Sequence, residues 1–307
     1  MAHLVSFDVP SSTGTSPAAI NGAGEITGTY TDIGGKTHGF LRKPDGALVP
    51  FDVPGAVNTF PVDINRCGEI TGWYTDASGT GGKGFLRQRD GTFLTFQLPG
   101  ATQTIPTAIN AEGEITGHYG DASGPSHGFV RTPNGSLLTF DISNSTQTSP
   151  NDISHASATT GQWADAGQHL HGFLRDYHGA VTTFDVPGSA STTPMAITRA
   201  DLIMGRFTDA HGQPQSFLRQ PNGTILTITI RGATSSTAWA INSAGDLVGV
   251  WTDAAGAHSF LRSASGSITD IDVHGAVYTQ PVGVNDAGEI TGYYGDASGG
   301  THGFLRS

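Results

Sequence analysis

One position in this chain carries a different chemical group in almost every copy of a repeated phrase. The clearest copies begin Gly-Glu-Ile-Thr-Gly, and the residue after the second glycine precedes a constant aromatic residue. Along the chain this variable position reads Thr29, Trp73, His118, Gln162, Arg206, Val250 and Tyr293. Side chains on a strand alternate between its two faces, so the variable residue and the aromatic residue should point to opposite sides. Packing alone favours one residue type at a position, and the variation therefore predicts a ligand-facing position.

The residues at this position suit recognition of a polar or aromatic molecule. The guanidinium of Arg206 can donate paired hydrogen bonds to an anionic or carbonyl group, although it can also reach solvent along the protein surface. His118 has the chemistry of a general base or of a polar filler. Trp73 and Tyr293 suit a stacking platform or packing between repeats. We predict that these residues and Gln162 line one ligand site.

A second variable set flanks the proline that recurs shortly before each Gly-Glu-Ile-Thr-Gly phrase. Phe60 stands before the proline in one copy, and Trp239 follows the corresponding position in another. Asp63 and Asp152 occur where other copies carry alanine or glycine. We expect Phe60 and Trp239 to join the same site at the mouth of a channel, because a concave site with aromatic and polar groups suits a small ligand.

Three further polar residue types recur too regularly to form a single active site. The aspartates are Asp32, Asp76, Asp121, Asp165, Asp209, Asp253 and Asp296. The arginines are Arg42, Arg87, Arg131, Arg175, Arg219, Arg262 and Arg306, and the histidines are His38, His127, His171, His258 and His302.

Asp and His both bind metals, but a metal site needs several convergent ligands, whereas these copies lie one per repeat. We therefore predict no metal site and no cofactor. We expect each aspartate to accept hydrogen bonds from the backbone of its loop and from the facing histidine. We expect each arginine to pair with a carboxylate, chosen from Asp8, Asp52, Asp141, Asp185 and Asp272.

The spacing of the repeats predicts the architecture that positions these residues. The residue that opens the phrase Phe-Asp-Val-Pro-Gly, or its equivalent, falls at Phe7, Phe51, Phe96, Phe140, Phe184, Ile228 and Ile271. The period is 43 to 45 residues. Each copy contains four short strand-like segments separated by Gly-rich turns, and no segment is long enough for a helix. Such units are typical of propeller blades.

The two ends of the chain predict how the array closes. The last repeat stops at Arg306-Ser307 after its third strand, and an additional strand at Leu4 to Val9 precedes the first repeat. Pairing the two would remove the exposed strand edges that favour aggregation. We therefore predict an all-β, seven-bladed β-propeller with four antiparallel strands per blade. Residues 1–307 form a single domain, and residues 1–9 complete blade seven.

The repeated motif resembles the extracellular repeats called the HAF family, named for a His-Ala-Phe phrase. Here the matching tripeptides are His38-Gly39-Phe40, His127-Gly128-Phe129, His171-Gly172-Phe173 and His302-Gly303-Phe304. Glycine replaces the alanine, and the resemblance covers nearly the whole chain. It implies a propeller-like repeat protein, often exported, and it carries no catalytic residues that could be transferred.

Composition limits the class of partner. The net charge of −11 argues against nucleic acid or an anionic membrane as the main partner. No apolar run approaches transmembrane length, and the single cysteine, Cys67, allows no intramolecular disulfide. The N-terminal residues lack a secretory signal, so we expect a cytoplasmic protein, or an extracellular one if an export signal has been removed. We expect a monomer.

Function is the least determined property of the sequence. It contains no nucleophile elbow, phosphate-binding loop, zinc helix or Cys-x-x-Cys motif. The main hypothesis is a binding or interaction propeller with one asymmetric site for a small molecule, glycan or protein. The alternative is a lyase, cyclase or hydrolase that uses His118, Arg206 and Tyr293. A weaker alternative is a multivalent lectin, which would repeat its binding residues in every blade.

Overall fold

The computed structural model describes residues 3–79 and 81–307, and these residues form an all-β structure. Its strands are β1 Leu4–Phe7, β2 Ser12–Ile20, β3 Ile26–Asp32, β4 Thr37–Arg42, β5 Leu48–Phe51, β6 Ala56–Ile64, β7 Ile70–Asp76, β8 Lys83–Arg87, β9 Phe93–Phe96, β10 Gln103–Ile109, β11 Ile115–Gly120, β12 Ser126–Arg131, β13 Leu137–Phe140, β14 Gln147–Ile153, β15 Thr159–Ala164, β16 Leu170–Arg175, β17 Val181–Phe184, β18 Ser191–Ile197, β19 Ile203–Thr208, β20 Pro214–Arg219, β21 Ile225–Ile228, β22 Ser235–Ile241, β23 Leu247–Thr252, β24 Ala257–Arg262, β25 Ile268–Asp270, β26 Tyr278–Val284, β27 Ile290–Gly295 and β28 Thr301–Arg306.

These strands form antiparallel units of four, as the sequence predicts. Five units are separate four-stranded sheets, and an eight-stranded sheet contains two more units joined through a single parallel bridge between Gly14 and Thr301. The arrangement corresponds to about seven blades. We number them along the chain, so that blade one contains β2 to β5, blade five contains β18 to β21, and blade seven contains β26 to β28 with β1.

The N-terminal strand belongs to the same unit as the C-terminal strand. β1 pairs antiparallel with β28, and Leu4 lies opposite Arg306 while Phe7 lies opposite Gly303. Backbone hydrogen bonds of 2.8 and 2.9 Å between His3 and Ser307 extend this pairing by one residue. The sequence prediction that the first strand pairs with the third strand of the last repeat is therefore confirmed.

Turn residues define where the strands end. Between the third and fourth strands of blades one and two, Gly46 and Gly91 have φ angles of 90° and 93°, a conformation that favours glycine. Between the first and second strands of blade one, Asn21 Oδ1 accepts hydrogen bonds of 3.0 Å from the backbone N–H groups of Ala23 and Glu25. An asparagine side chain can thus close a turn through its own backbone neighbours.

The hydrophobic core lies between neighbouring blades. The phenylalanine of each third strand has no exposed surface, and these residues are Phe40, Phe85, Phe129, Phe173, Phe217, Phe260 and Phe304. One core cluster joins Leu41 of blade one to Phe85 and Ile70 of blade two through Val53 in the connecting loop. Each blade is therefore stable only against its neighbours, as expected for a repeat whose single sheet cannot bury both faces.

The two ends of the blades carry different loops. The upper face, as we name it, carries the loops between second and third strands and the loops between blades, and the lower face carries the remaining turns. On the lower face an asparagine of one blade donates to a backbone carbonyl of the next. The bonds run from Asn21 to Asn65, Asn65 to Asn110, Asn110 to Ser154, Asn242 to Asn285, and Asn285 to Asn21, at 3.0 to 3.2 Å. None of the described residues belongs to a helix with the length and hydropathy needed to cross a bilayer.

Candidate functional site

The repeated histidines lie on the upper face, each between two carboxylates. In blade one, His38 Nδ1 is 2.8 Å from Asp52 Oδ2, and His38 Nε2 is 3.2 Å from Asp32 Oδ2. The backbone N–H groups of Gly34 and Lys36 also donate to Asp32 Oδ1, at 2.8 and 2.9 Å. The predicted role of the repeated aspartate in its loop is therefore confirmed.

An aromatic ring covers one face of each of these histidines. The ring of Tyr30 stacks on His38 with centroids 4.9 Å apart, and Trp163 stacks on His171 at 4.6 Å. The same arrangement occurs at His127, His258 and His302. Because each ring is covered on one face and lies between two carboxylates, these clusters are structural. Among residues 3–79 and 81–307, no group of three or more His, Cys, Asp and Glu side chains could hold a metal ion.

The predicted pairing of the repeated arginines with carboxylates is wrong. The carboxylates of Asp52, Asp141 and Asp185 contact histidines instead. The guanidinium of Arg42 lies over the ring of Phe7 at 5.0 Å, and that of Arg219 lies over Phe184 at 4.7 Å. Equivalent contacts occur at Arg87, Arg131 and Arg175. The arginine therefore packs between blades through a cation–π contact with the fourth strand of the preceding blade.

The histidine clusters make stability depend on pH. Although burial opposes it, hydrogen bonds to Asp52 and Asp32 raise the pKa of His38, and Asp185 and Asp165 raise the pKa of His171 in the same way. The carboxylates of Asp8 and Asp296 raise the pKa of His302. A histidine with a raised pKa in the folded state stabilises the fold fully below its unfolded pKa of about 6.5. This contribution is lost as the pH rises through the folded value.

We therefore expect the Tm to fall as the pH rises above about 6.5. A triple variant, His38→Gln, His171→Gln and His302→Gln, should have a lower Tm near pH 6.5 and a flatter dependence above it. Glutamine is the matched replacement because the chain itself carries Gln215 at this position in blade five. Thermal unfolding monitored by circular dichroism would measure both curves. If the Tm of the variant and that of the unmodified protein changed with pH in the same way, the role of these histidines in the pH dependence would be contradicted.

Arg206 lies in a groove between blades four and five. The groove is lined by Leu170 of blade four and by Ser191, Thr193, Phe207, Thr208 and Pro214 of blade five. The Arg206 side chain is exposed, and it makes no hydrogen bond or ion pair with another described residue. It pairs across the sheet with Thr193. The groove therefore offers an unpaired guanidinium beside two hydroxyl groups.

A larger cavity continues from this groove. It has a volume of about 420 Å³ and shares Leu170 and Ser191 with the groove. Its other lining residues include His169 and His171, with Val186 and Pro187 as an apolar wall. His171 is held by Asp185 at 2.9 Å, whereas His169 is largely exposed, with 67% of its side-chain surface accessible. Together the groove and the cavity form the candidate site.

The other predicted site residues lie elsewhere. Trp73 stacks on Phe60 with centroids 4.0 Å apart, and Tyr293 meets Tyr278 edge to face at 6.3 Å. His118 is partly buried, burial lowers its pKa, and its Nδ1 has no partner in the described part of the chain. Gln162 lies opposite Ser149 in blade four. These residues line neither the Arg206 groove nor the adjoining cavity.

Trp239 lines a different cavity, in the channel between the first strands of the blades. This cavity has a volume of about 240 Å³ and also contains Asp63 and Asp152. It shares no lining residue with the Arg206 groove. The structure thus places Trp239 and Arg206 in separate cavities.

The polar side chains of the channel connect neighbouring blades. Asp63 Oδ2 accepts a hydrogen bond of 2.9 Å from Ile109 N, and Asp152 Oδ2 accepts one of 2.7 Å from Ile197 N. Asn151 Nδ2 donates to Pro194 O at 2.6 Å. Burial raises the pKa of Asp63 to about 6 and that of Asp152 to about 7. These groups are already occupied, and the Arg206 groove is therefore the better candidate for a ligand.

The sequence did not reveal that Leu170 and Ser191 would line a groove with Arg206, or that His169 would line the adjoining cavity. Leu170 and Arg206 belong to different repeats and meet only because blades four and five are adjacent. One available signal was His169, an additional histidine two residues before the repeated His171.

Comparisons with known proteins identify the fold. No protein-family model matches the chain, and no match was found among curated proteins. Among solved structures, a catalytically inactive histidine-to-alanine variant of virginiamycin B lyase from Staphylococcus aureus with quinupristin has a TM-score of 0.68 at 17% identity, over 100% of both chains. A streptogramin B lyase has a TM-score of 0.65 at 15% identity, over 100% of this chain and 98% of that chain.

The β-propeller domain of the Trilobed protease from Pyrococcus furiosus has a TM-score of 0.70 at 10% identity, over 95% of this chain and 94% of that chain. At these identities the similarities show the propeller fold alone.

Proposed function

We propose that this protein is a ligand-binding propeller and that its ligand is a small molecule with an anionic group. The observation that carries the proposal is the unpaired guanidinium of Arg206 in the groove between blades four and five. A carboxylate fits the paired donors of arginine, and the Thr193 hydroxyl can donate a further hydrogen bond, whereas the Ser191 hydroxyl already donates to Thr208 Oγ1 at 2.8 Å. The rest of the ligand would occupy the adjoining cavity of about 420 Å³ against Val186 and Pro187.

Replacement of Arg206 by alanine tests this proposal. In a nuclear magnetic resonance (NMR) titration with small carboxylates, each paired with its neutral amide, we expect shifts at Leu170, Ser191 and Thr193 for the carboxylates. Arg206→Ala should weaken their binding by about 2 kcal/mol, roughly 30-fold, as for loss of a charged hydrogen bond. The Tm should change little, because Arg206 makes no contact that holds the fold.

Arg231→Ala is the matched control, since it removes another exposed arginine outside the groove. This control should bind the carboxylates as the unmodified protein does. Equal affinities for carboxylates and amides at the groove would contradict the proposal. Equal losses of carboxylate affinity in Arg206→Ala and Arg231→Ala would also contradict it.

The enzymatic alternative draws support from the similarity to lyases over the whole chain. It assigns His118, Arg206 and Tyr293 to catalysis, but they belong to blades three, five and seven, and burial raises the pKa of Tyr293. Incubation with quinupristin, followed by mass spectrometry, separates the two functions. We expect intact quinupristin, whereas ring opening that is lost in Arg206→Ala would favour a lyase.

A multivalent lectin has less support. It would need free donors in every blade, and the repeated histidines and aspartates already bind one another.

We also infer that seven blades close into a ring. The pairing of β1 with β28 supports closure, as does the hydrogen bond of 3.1 Å from Asn285 Nδ2 to Asn21 O, which connects the last blade to the first. Closure leaves no blade with an unprotected face, and it keeps blades four and five at the spacing that forms the Arg206 groove.

A further inference from the structure

Blade five lacks the basic side chain that the other blades place beside the repeated aspartate. In five blades this side chain is a histidine, and in blade two it is Lys83, whose Nζ lies 2.5 Å from Asp76 Oδ2. Blade five carries Gln215 at the histidine position, opposite Phe207 in the same register as His38 opposite Tyr30. It also carries Thr229 where blade one has Asp52.

A cavity occupies the position of the missing imidazole. It has a volume of about 290 Å³, and its lining includes Phe207, Asp209, Gln215, Thr229 and Ile230. The first four correspond in sequence to the aromatic ring, the first carboxylate, the histidine and the second carboxylate of blade one. Gln215 does not replace the ring, because its Nε2 donates to Thr234 O at 3.1 Å, in the loop that leads to blade six.

The remaining groups of the cluster are only partly engaged. Asp209 Oδ1 accepts hydrogen bonds of 2.8 and 2.9 Å from His211 N and Gln213 N, as in the other blades. Asp209 Oδ2 has a single weak partner, Gln215 Nε2 at 3.4 Å. No aromatic or histidine ring in the described part of the chain stacks on Phe207. One carboxylate oxygen and one aromatic face therefore border the cavity.

We propose that this cavity binds an imidazole group, a planar nitrogen heterocycle with an N–H donor. Its ring would stack on Phe207, one N–H would donate to Asp209 Oδ2, and the second nitrogen would face the hydroxyl of Thr229. The five histidine clusters of the same chain are the structural template for this geometry. The site is separate from the Arg206 groove, with which it shares only Phe207.

Imidazole itself is the probe. In an NMR titration of the ¹⁵N-labelled protein at about pH 6, where imidazole is largely protonated, we expect shifts at Phe207, Asp209, Thr229 and Ile230. Gln215→His should reduce the affinity at least tenfold, because the chain then fills its own cavity. This variant should fold, since it restores the residue found in five other blades. Arg206→Ala should leave imidazole binding unchanged, which distinguishes this site from the carboxylate site.

Blade three supplies the matched controls. Asp209→Asn should weaken imidazole binding at least tenfold, whereas Asp121→Asn, the same change where His127 fills the site, should not. His127→Ala should create an equivalent cavity and acquire imidazole binding there. Binding in the His127→Ala cavity without binding in blade five would overturn the proposal, as would equal effects of the two aspartate variants.

A second comparison identifies the source of the imidazole. A histidine-containing tripeptide that binds more tightly than imidazole indicates a protein chain as the natural ligand, and weaker binding of the tripeptide indicates a small molecule. Either order of the two affinities supports the imidazole site. If neither probe shifts the NMR signals of the blade five residues, the proposal is contradicted.

Discussion

Deletion of residues 1–9 will lower the Tm strongly and cause the protein to associate. The deletion removes β1, the fourth strand of the last blade, and leaves the backbone groups of β28 without their partners. It also removes Phe7 and Val9, which are 8% and 3% exposed. Loss of two buried side chains costs about 3 to 6 kcal/mol, a large part of the stability of an ordinary domain. Differential scanning calorimetry and analytical ultracentrifugation would measure the two effects.

The loss extends beyond the strand ladder. Asp8 holds His302 Nδ1 at 2.9 Å, and the ring of Phe7 lies under the guanidinium of Arg42 in blade one. The deletion therefore weakens both blade seven and its contact with blade one. An exposed strand edge in blade seven would then pair with another molecule, which is the reason to expect association.

A synthetic peptide of residues 3–9 provides the control. Added to the truncated protein, it should restore the Tm and the monomer–oligomer distribution of the full chain, and a Phe7→Ala peptide should do so less well. A truncated protein with unchanged Tm and unchanged association would contradict closure through β1.

The fold could be predicted from the sequence because every blade repeats the same pattern of strands and turns. The period of 43 to 45 residues, the glycines at turns and the alternation of apolar residues all agree from copy to copy. The role of Leu4 to Val9 followed from counting strands in the repeats. Such agreement comes from interactions within one blade or from the order of the strands along the chain, and both can be read from the sequence.

Contacts between blades were harder to predict. The sequence shows that the positions of Phe7, Asp8 and Arg42 recur along the chain. It does not show whether each arginine contacts the aspartate or the phenylalanine. The structure places the aspartate on the histidine of the preceding strand and the arginine over the phenylalanine. Arg262 and Arg306 are retained although the corresponding positions are Ile228 and Ile271 rather than phenylalanine. The sequence therefore contains no covariation that would have paired the arginine with the ring.

The candidate site could be predicted only in part. The variable position singles out Arg206 as an unusual residue, but neighbours from two blades decide whether a cavity forms beside it. Trp73 meets Phe60 within its own blade, whereas Arg206 meets small hydroxyl residues and leaves a groove. The small facing residue Thr193 leaves room beside Arg206, whereas Phe60 fills the corresponding space beside Trp73.

Gly117→Ala will destabilise the protein by about 3 kcal/mol, the upper end of the range for overpacking. Gly117 lies in β11 opposite Pro106, next to the bulge in β10. A Cβ atom at this position would lie 2.2 Å from Ile105 O and 2.8 Å from Pro106 Cα. Both are backbone atoms of β10, which is paired with β11 itself, so neither can move away without disturbing this pairing and the bulge. Chemical denaturation monitored by tryptophan fluorescence would measure the loss.

Gly120→Ala in the same strand is the matched control. Its Cβ would meet only the flexible side chain of Gln103, at 3.4 Å, and the Thr102 hydroxyl at 3.6 Å. We expect a change within about 0.5 kcal/mol, as for substitutions that meet no rigid group. The equivalent glycines of the other blades have the same close approach to a backbone carbonyl, at 2.1 to 2.4 Å, so the effect should recur at Gly28, Gly72, Gly161, Gly205, Gly249 and Gly292. Equal stabilities of the Gly117→Ala and Gly120→Ala variants would show that the bulge can relax. In that case the repeated glycine would be explained by the conformational freedom of the strand rather than by the contact with the first strand.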